Sequence, residues 1–122
     1  MEDDSKEIHE AYKAEVEEIL TEMRRSYETL KKGFDTDSLD DIALSCHKLK
    51  GAAGMMDYSH IEELAKKLES AAKLLANRKV EPKPETFSVL LEAFTLLTNY
   101  IETDFGERDP ALLEKLRKLG TV

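Results

Sequence analysis

The sequence is short of cysteine, proline and glycine: one, three and five respectively in 122 residues. A single cysteine excludes an internal disulfide, and a reducing compartment fits that usage. So few prolines and glycines leave long stretches free to run as helix. Apolar runs are short as well. None approaches the ~20 residues of a membrane span, because Lys73 and Glu92 interrupt the longest ones. The start, Met1-Glu2-Asp3-Asp4-Ser5-Lys6, has neither the basic opening nor the apolar run of a signal peptide, so a cytoplasmic protein is expected. Basic charge is in deficit. The formal charge is −8, which disfavours nucleic acid and anionic membrane as partners. There is no G-x-x-x-x-G-K-[ST] loop to cradle a nucleotide. No histidine follows a glutamate by three residues, since Lys6, Leu44 and Asp57 hold those positions. The E-x-x-H pairs of a di-metal bundle are therefore missing. No strand-like alternation competes with helix.

What remains is helical periodicity. Hydrophobic residues make up 41% of the chain and charged residues 36%, the balance of a folded, amphipathic helical domain rather than a disordered one. A first helix is predicted over about 6–32, with Ile8, Tyr12, Val16, Ile19, Leu20, Met23, Tyr27 and Leu30 as its apolar stripe and Gly33 as its stop. Asp35-Thr36-Asp37-Ser38 offers several N-caps for a second helix over about 38–56. The third is predicted to open at Ser59, where Ser59-His60-Ile61-Glu62 has capping-box form, and to end near Asn77. Its seam is Ile61, Leu64, Leu68, Ala71 and Leu75. Residues 78–84, with two prolines, read as a linker. A fourth helix follows from Pro84 or Glu85 with the seam Phe87, Leu90, Phe94, Leu97 and Ile101, and Gly106 breaks it. Asp109-Pro110 then opens a short fifth helix over about 110–119, which Gly120 closes. The pattern predicts one all-α domain over 1–122: an antiparallel four-helix bundle over about 6–104 with an additional short C-terminal helix.

One stretch stands apart, Cys46-His47-Lys48-Leu49-Lys50-Gly51-Ala52-Ala53-Gly54. Read as helix, Leu39, Ile42, Cys46, Leu49, Ala53 and Met56 form a buried face. His47, Lys50, Gly51 and Gly54 share the other, at i, i+3, i+4 and i+7. Glycine inside a helix costs about 1 kcal/mol relative to alanine, so two beside a histidine suggest clearance for something large. A solvent-facing imidazole is a nucleophile at neutral pH. Attack on a phosphoryl group adds negative charge beside the helix, and Lys50 supplies an ammonium there. A carboxylate from a neighbouring helix would hold the other ring nitrogen. Cys46 reads as a small core residue, and His9 and His60 as surface residues outside any cluster.

These residues resemble a known family. His47-Lys48-Leu49-Lys50-Gly51 is similar to the H-x-L-K-G core of histidine phosphotransfer (HPt) domains, and Ile61, Leu64 and Leu68-Glu69 resemble that family's following helix. The five-helix order is most like the N-terminal phosphotransfer domain of chemotaxis-type histidine kinases. The resemblance implies that His47 is phosphorylated on Nε2, that Lys50 assists the phosphoryl group and that Glu69 orients the ring. Lys66 stands where many chemotaxis-type members have a second histidine, Asp57 where a glycine is usual, and Cys46 where an alanine is common. Glu62, Lys66, Glu69 and Lys73 also read as an ordinary stripe of surface ion pairs.

The implied role is a relay. A histidine kinase catalytic domain phosphorylates His47, and an aspartate of a response-regulator receiver domain takes the phosphoryl group. ATP and Mg²⁺ would belong to those partners, so this domain binds no cofactor and is not a complete kinase. The face around His47, with Gly54, Lys48, Lys66 and Met55, is the expected docking surface, and the domain is expected to be monomeric. A free-standing relay protein and a fragment of a larger kinase both fit a chain that begins at methionine. The alternative function is a helical interaction bundle that docks a kinase or receiver without carrying phosphate.

Overall fold

The computed structural model describes residues 2–56, 58–103 and 108–120. The expectations placed on Asp57, on Gly106 and on the side chain of His9 lie outside the described residues. Among the described residues five helices follow one another: α1 (Glu2–Lys32), α2 (Thr36–Met55), α3 (Ser59–Ala76), α4 (Thr86–Thr103) and α5 (Pro110–Leu119). Among the described residues there is no strand. Each of the first four helices packs on its neighbours in sequence, and α4 closes the ring against α1. Short connections make successive helices antiparallel, which gives the four-helix bundle. The short C-terminal helix α5 lies on α3 and α4. No helix is long and apolar enough to cross a membrane, among the described residues.

The seams meet in one core. Val16, Met23 and Leu30 of α1, Ile42 and Leu49 of α2, Leu64 and Leu68 of α3, Leu90 and Leu97 of α4 and Leu116 of α5 are all buried together. The α1 stripe runs past that core, because Tyr12 is half-buried and Ile8 is 58% exposed. Tyr27 ties α1 to α4. Its ring stacks on Phe94 at 4.9 Å between centroids and its hydroxyl donates to the Leu90 carbonyl at 2.6 Å.

The helix ends differ from expectation in instructive places. α1 opens at Glu2, ahead of the apolar periodicity. α2 opens at Thr36 because Asp35 is the cap, its carboxylate accepting from the Ser38 N–H at 2.7 Å and the Ser38 hydroxyl at 2.8 Å. The capping box at Ser59 is not formed. The N-cap is Tyr58, which makes no side-chain cap bond, and Ser59 is already the first helical residue. The Tyr58 carbonyl accepts from the Glu62 N–H at 3.0 Å, so the helix opens at Ser59 as expected while its cap falls one residue before.

The stretch read as a linker is anchored at both ends. Lys79 N–H donates to the Leu74 carbonyl and Arg78 N–H to that of Leu75, a Schellman turn with Arg78 left-handed at φ 56°. Val80 is buried, and the Thr86 hydroxyl accepts from the Lys83 N–H at 2.7 Å. That turn delays regular helix from Pro84 or Glu85 to Thr86. α5 spans Pro110–Leu119 as expected, capped by Asp109, whose carboxylate accepts from the Leu112 N–H at 3.0 Å.

Candidate functional site

The pairing of α2 with α3 is the most extensive in the molecule, and small residues explain it. Ala43, Cys46 and Ala53 are buried on α2; Ala65, Ala72 and Ala76 are buried on α3. Those three alanines lie on the line of α3 that also carries Glu69, at i−4, i+3 and i+7. Small side chains let the two axes approach closely. The glutamate in that line is thereby brought under the exposed face of α2.

Glu69 is one of four buried polar residues among those described, 6% exposed, and three groups converge on it. His47 Nδ1 lies 3.3 Å from Oε2, Lys73 Nζ 3.0 Å from the same oxygen, and Lys50 Nζ 3.2 Å from Oε1. Burial works to raise the carboxyl's pKa. Hydrogen bonds and charge from Lys73 and Lys50 outweigh it, so the pKa is lowered and the group is a carboxylate at neutral pH. The imidazole side chain itself is 64% accessible. Its second nitrogen lies across the ring from the one that faces Glu69. The site therefore joins an exposed ring to a buried, charge-compensated anion.

The other residues singled out in the sequence fall as follows. Lys50 reaches Glu69 from the same helix as His47, so its ammonium compensates the carboxylate. Gly51 is exposed, and a Cβ added there would meet nothing within 4 Å. At Gly54 a Cβ would sit 3.5 Å from the Glu62 carboxylate. The two glycines thus differ: one has open space above α2, while at the other a Cβ would be in ordinary contact with a side chain of α3. Lys48 and Lys66 are exposed, and the Glu69 ion pairs come from His47, Lys50 and Lys73 rather than Lys66. Met55 is 70% exposed and its sulfur accepts from the Tyr12 hydroxyl at 3.3 Å, whereas Met56 is half-buried against the core. Cys46 is fully buried, and burial first, then the Glu69 charge, pushes its thiol far up. It is inert packing. His60 is exposed, with its ring 6.0 Å from that of Tyr100.

Two participants were not singled out from the sequence. Lys73 read as an ordinary surface partner of Glu69, although its i, i+4 spacing was the available signal. Leu44 is 54% exposed on the outer face of α2, one turn before His47. It lines a shallow hollow with Asp40, Ala43, His47, Glu69 and Lys73. Among the described residues no group of three or more His, Cys, Asp or Glu is placed to hold a metal ion.

Comparison with known proteins agrees with this geometry at the level of family. No curated protein and no solved structure matches the chain. The sequence model of one family, described as the Hpt domain, matches residues 7–103. That match spans most of the 122 residues and takes in most of α1 and all of α2 to α4, so the chain belongs to the Hpt domain family, with a phosphotransfer role in two-component signalling.

Proposed function

We propose that His47 is the phosphoryl carrier. It accepts the group from a histidine kinase catalytic domain and passes it to an aspartate of a response-regulator receiver. The observation that carries this reading is the pairing of an exposed imidazole with a buried carboxylate, Nδ1 to Oε2 at 3.3 Å. A carboxylate there favours the tautomer protonated at Nδ1, and that tautomer places the free lone pair on Nε2.

The chemistry balances without moving that proton. The Nε2 lone pair attacks phosphorus, and the bond from phosphorus to the donor's leaving oxygen breaks. The ring gains positive charge as the N–P bond forms, and Glu69 stabilises it through Nδ1. In the second step a carboxylate oxygen of the receiver attacks phosphorus and the N–P bond breaks. The imidazole leaves neutral, still protonated at Nδ1. Lys50 and Lys73 keep Glu69 ionised throughout. ATP and Mg²⁺ are assigned to the partner domains, and the chain works as a carrier rather than a complete kinase.

The docking face is assigned to the outer side of α2. Leu44, His47, Gly51 and Met55 follow one another there at i, i+3, i+7 and i+11, and all are exposed. Lys48 flanks them, and the open space over Gly51 admits a partner's backbone. The compartment is the cytoplasm, the domain is a monomer, and the H-x-L-K-G helix followed by Glu69 favours a chemotaxis-type kinase as the setting. The test is a chase. The domain is labelled by a histidine kinase domain, purified, and mixed with a panel of receivers and Mg²⁺. Loss of label from the domain with its appearance on a receiver aspartate is expected. Labelled domain that transfers to no receiver contradicts the relay.

A further inference from the structure

Lys73 looks at first like a routine i, i+4 helix ion pair, consequential for nothing else. Two features separate it from that class. Its partner is buried, with only 8% of the Glu69 side chain accessible, while Lys73 itself reaches in from a largely exposed position. The oxygen it holds, Oε2, is also the one that faces His47, whereas Lys50 holds Oε1. The two oxygens of one carboxylate are thus fixed by ammonium groups from two different helices.

We propose that Lys73 is a positioning residue for His47: with Lys50 it forms a two-point clamp that sets the plane of the Glu69 carboxylate and keeps Oε2 against Nδ1. A carboxylate with a single ammonium partner turns to share both oxygens with that cation. One with an ammonium at each oxygen cannot turn without losing one of them. Oxygen Oε2 has lone pairs enough to accept from Lys73 and from the ring together. The groups facing the carboxylate are His47 and Lys50 from α2 and Lys73 from α3, with Asp40 in the adjoining hollow and the Cys46 thiol on the core side. Without Lys73 the carboxylate swings toward Lys50, and the ring loses the partner that selects its tautomer. The consequence for rate rests on the carrier role proposed for His47; the clamp itself does not.

The test separates the two. The ring tautomer of His47 is read by ¹⁵N NMR at a pH where the imidazole is neutral, in wild type, Lys73→Met and Lys73→Arg. Glu69→Gln serves as the reference for a ring without its anion. The same proteins are then phosphorylated with phosphoramidate, a small donor that needs no docking face. Lys73→Met is expected to lower the Nδ1–H fraction toward the Glu69→Gln value and to slow labelling about three- to tenfold. Lys73→Arg, which keeps a cation beside the buried carboxylate, is expected to restore most of both with a melting temperature near that of wild type. An unchanged tautomer in Lys73→Met overturns the clamp, whatever happens to the rate. A wild-type protein that takes no label sinks the carrier role instead, while the tautomer comparison still decides the clamp.

Discussion

Gly51 and Glu69 are both at odds with the local structure that holds them, one a glycine inside a helix and the other a buried charge. Gly51 sits inside α2 with nothing within 4 Å of where its Cβ would be. Gly51→Ala should therefore stabilise the fold by about 0.5–1 kcal/mol in urea titration, from helix propensity alone. It should at the same time slow phosphorylation by a kinase domain more than by phosphoramidate, because only the former needs the open space. Glu69 makes a pH signature. Its folded-state pKa lies below the ordinary carboxylate value, so the unfolded chain takes up the proton first as pH falls. Its contribution to stability is complete above the unfolded value, about 4.3, and is lost as pH drops through the lower folded value. The stability gap between wild type and Glu69→Gln should be constant above pH about 5 and shrink below it, measured by urea midpoints across pH. His47, Lys50 and Glu69 were all nameable from spacing and family resemblance. Lys73 and Leu44 were not, for different reasons. Lys73 belongs to a Glu–Lys stripe like those on most helices, and only the burial of its partner marks it out. Leu44 is an exposed leucine, and an exposed leucine is common enough to carry no signal by itself.

At the scale of the element, periodicity located all five helices, while their ends depended on single hydrogen bonds that it does not encode. The Ser-x-x-Glu pattern at Ser59 was satisfied in sequence. The helix does open at Ser59, but its cap is Tyr58, whose carbonyl accepts from the Glu62 N–H, and the Glu62 carboxylate lies near Gly54 instead of turning back to Ser59. The prolines of residues 78–84 suggested slack chain, whereas a Schellman turn, a buried Val80 and the Lys83–Thr86 bond hold it. That turn carries its own test. Arg78 stands at φ 56°, a left-handed position that costs a side-chain-bearing residue about 1 kcal/mol. Arg78→Gly should raise stability by about 0.5–1 kcal/mol, read as a higher urea midpoint with an unchanged slope. Loss of stability would mean that the arginine side chain contributes more than its backbone conformation costs.

Across the whole molecule, the ring of packed helices makes the site a product of the core. The histidine comes from α2 and its carboxylate from α3, and their juxtaposition depends on the alanine-lined contact between those helices. Tyr27 contributes at the far side of the ring, where α1 meets α4. Tyr27→Phe removes a buried hydroxyl donor to Leu90 and should cost about 1 kcal/mol. Because one core is shared by all five helices, the loss should appear as a shift of a single transition, the same by circular dichroism and by tyrosine fluorescence. The bundle was legible from the seams. Its side of closest approach was not, because alanines on α3 score weakly in any hydrophobic pattern while deciding how near two axes come.

The central claim is that His47 carries the phosphoryl group on the nitrogen that Glu69 leaves free. The most direct measurement is ³¹P and ¹⁵N NMR of the protein after treatment with phosphoramidate, wild type beside His47→Gln. The account predicts one acid-labile, base-stable phosphorus–nitrogen adduct on Nε2 of His47 and none in His47→Gln. An adduct that persists in His47→Gln, or a wild type that forms none, would contradict it.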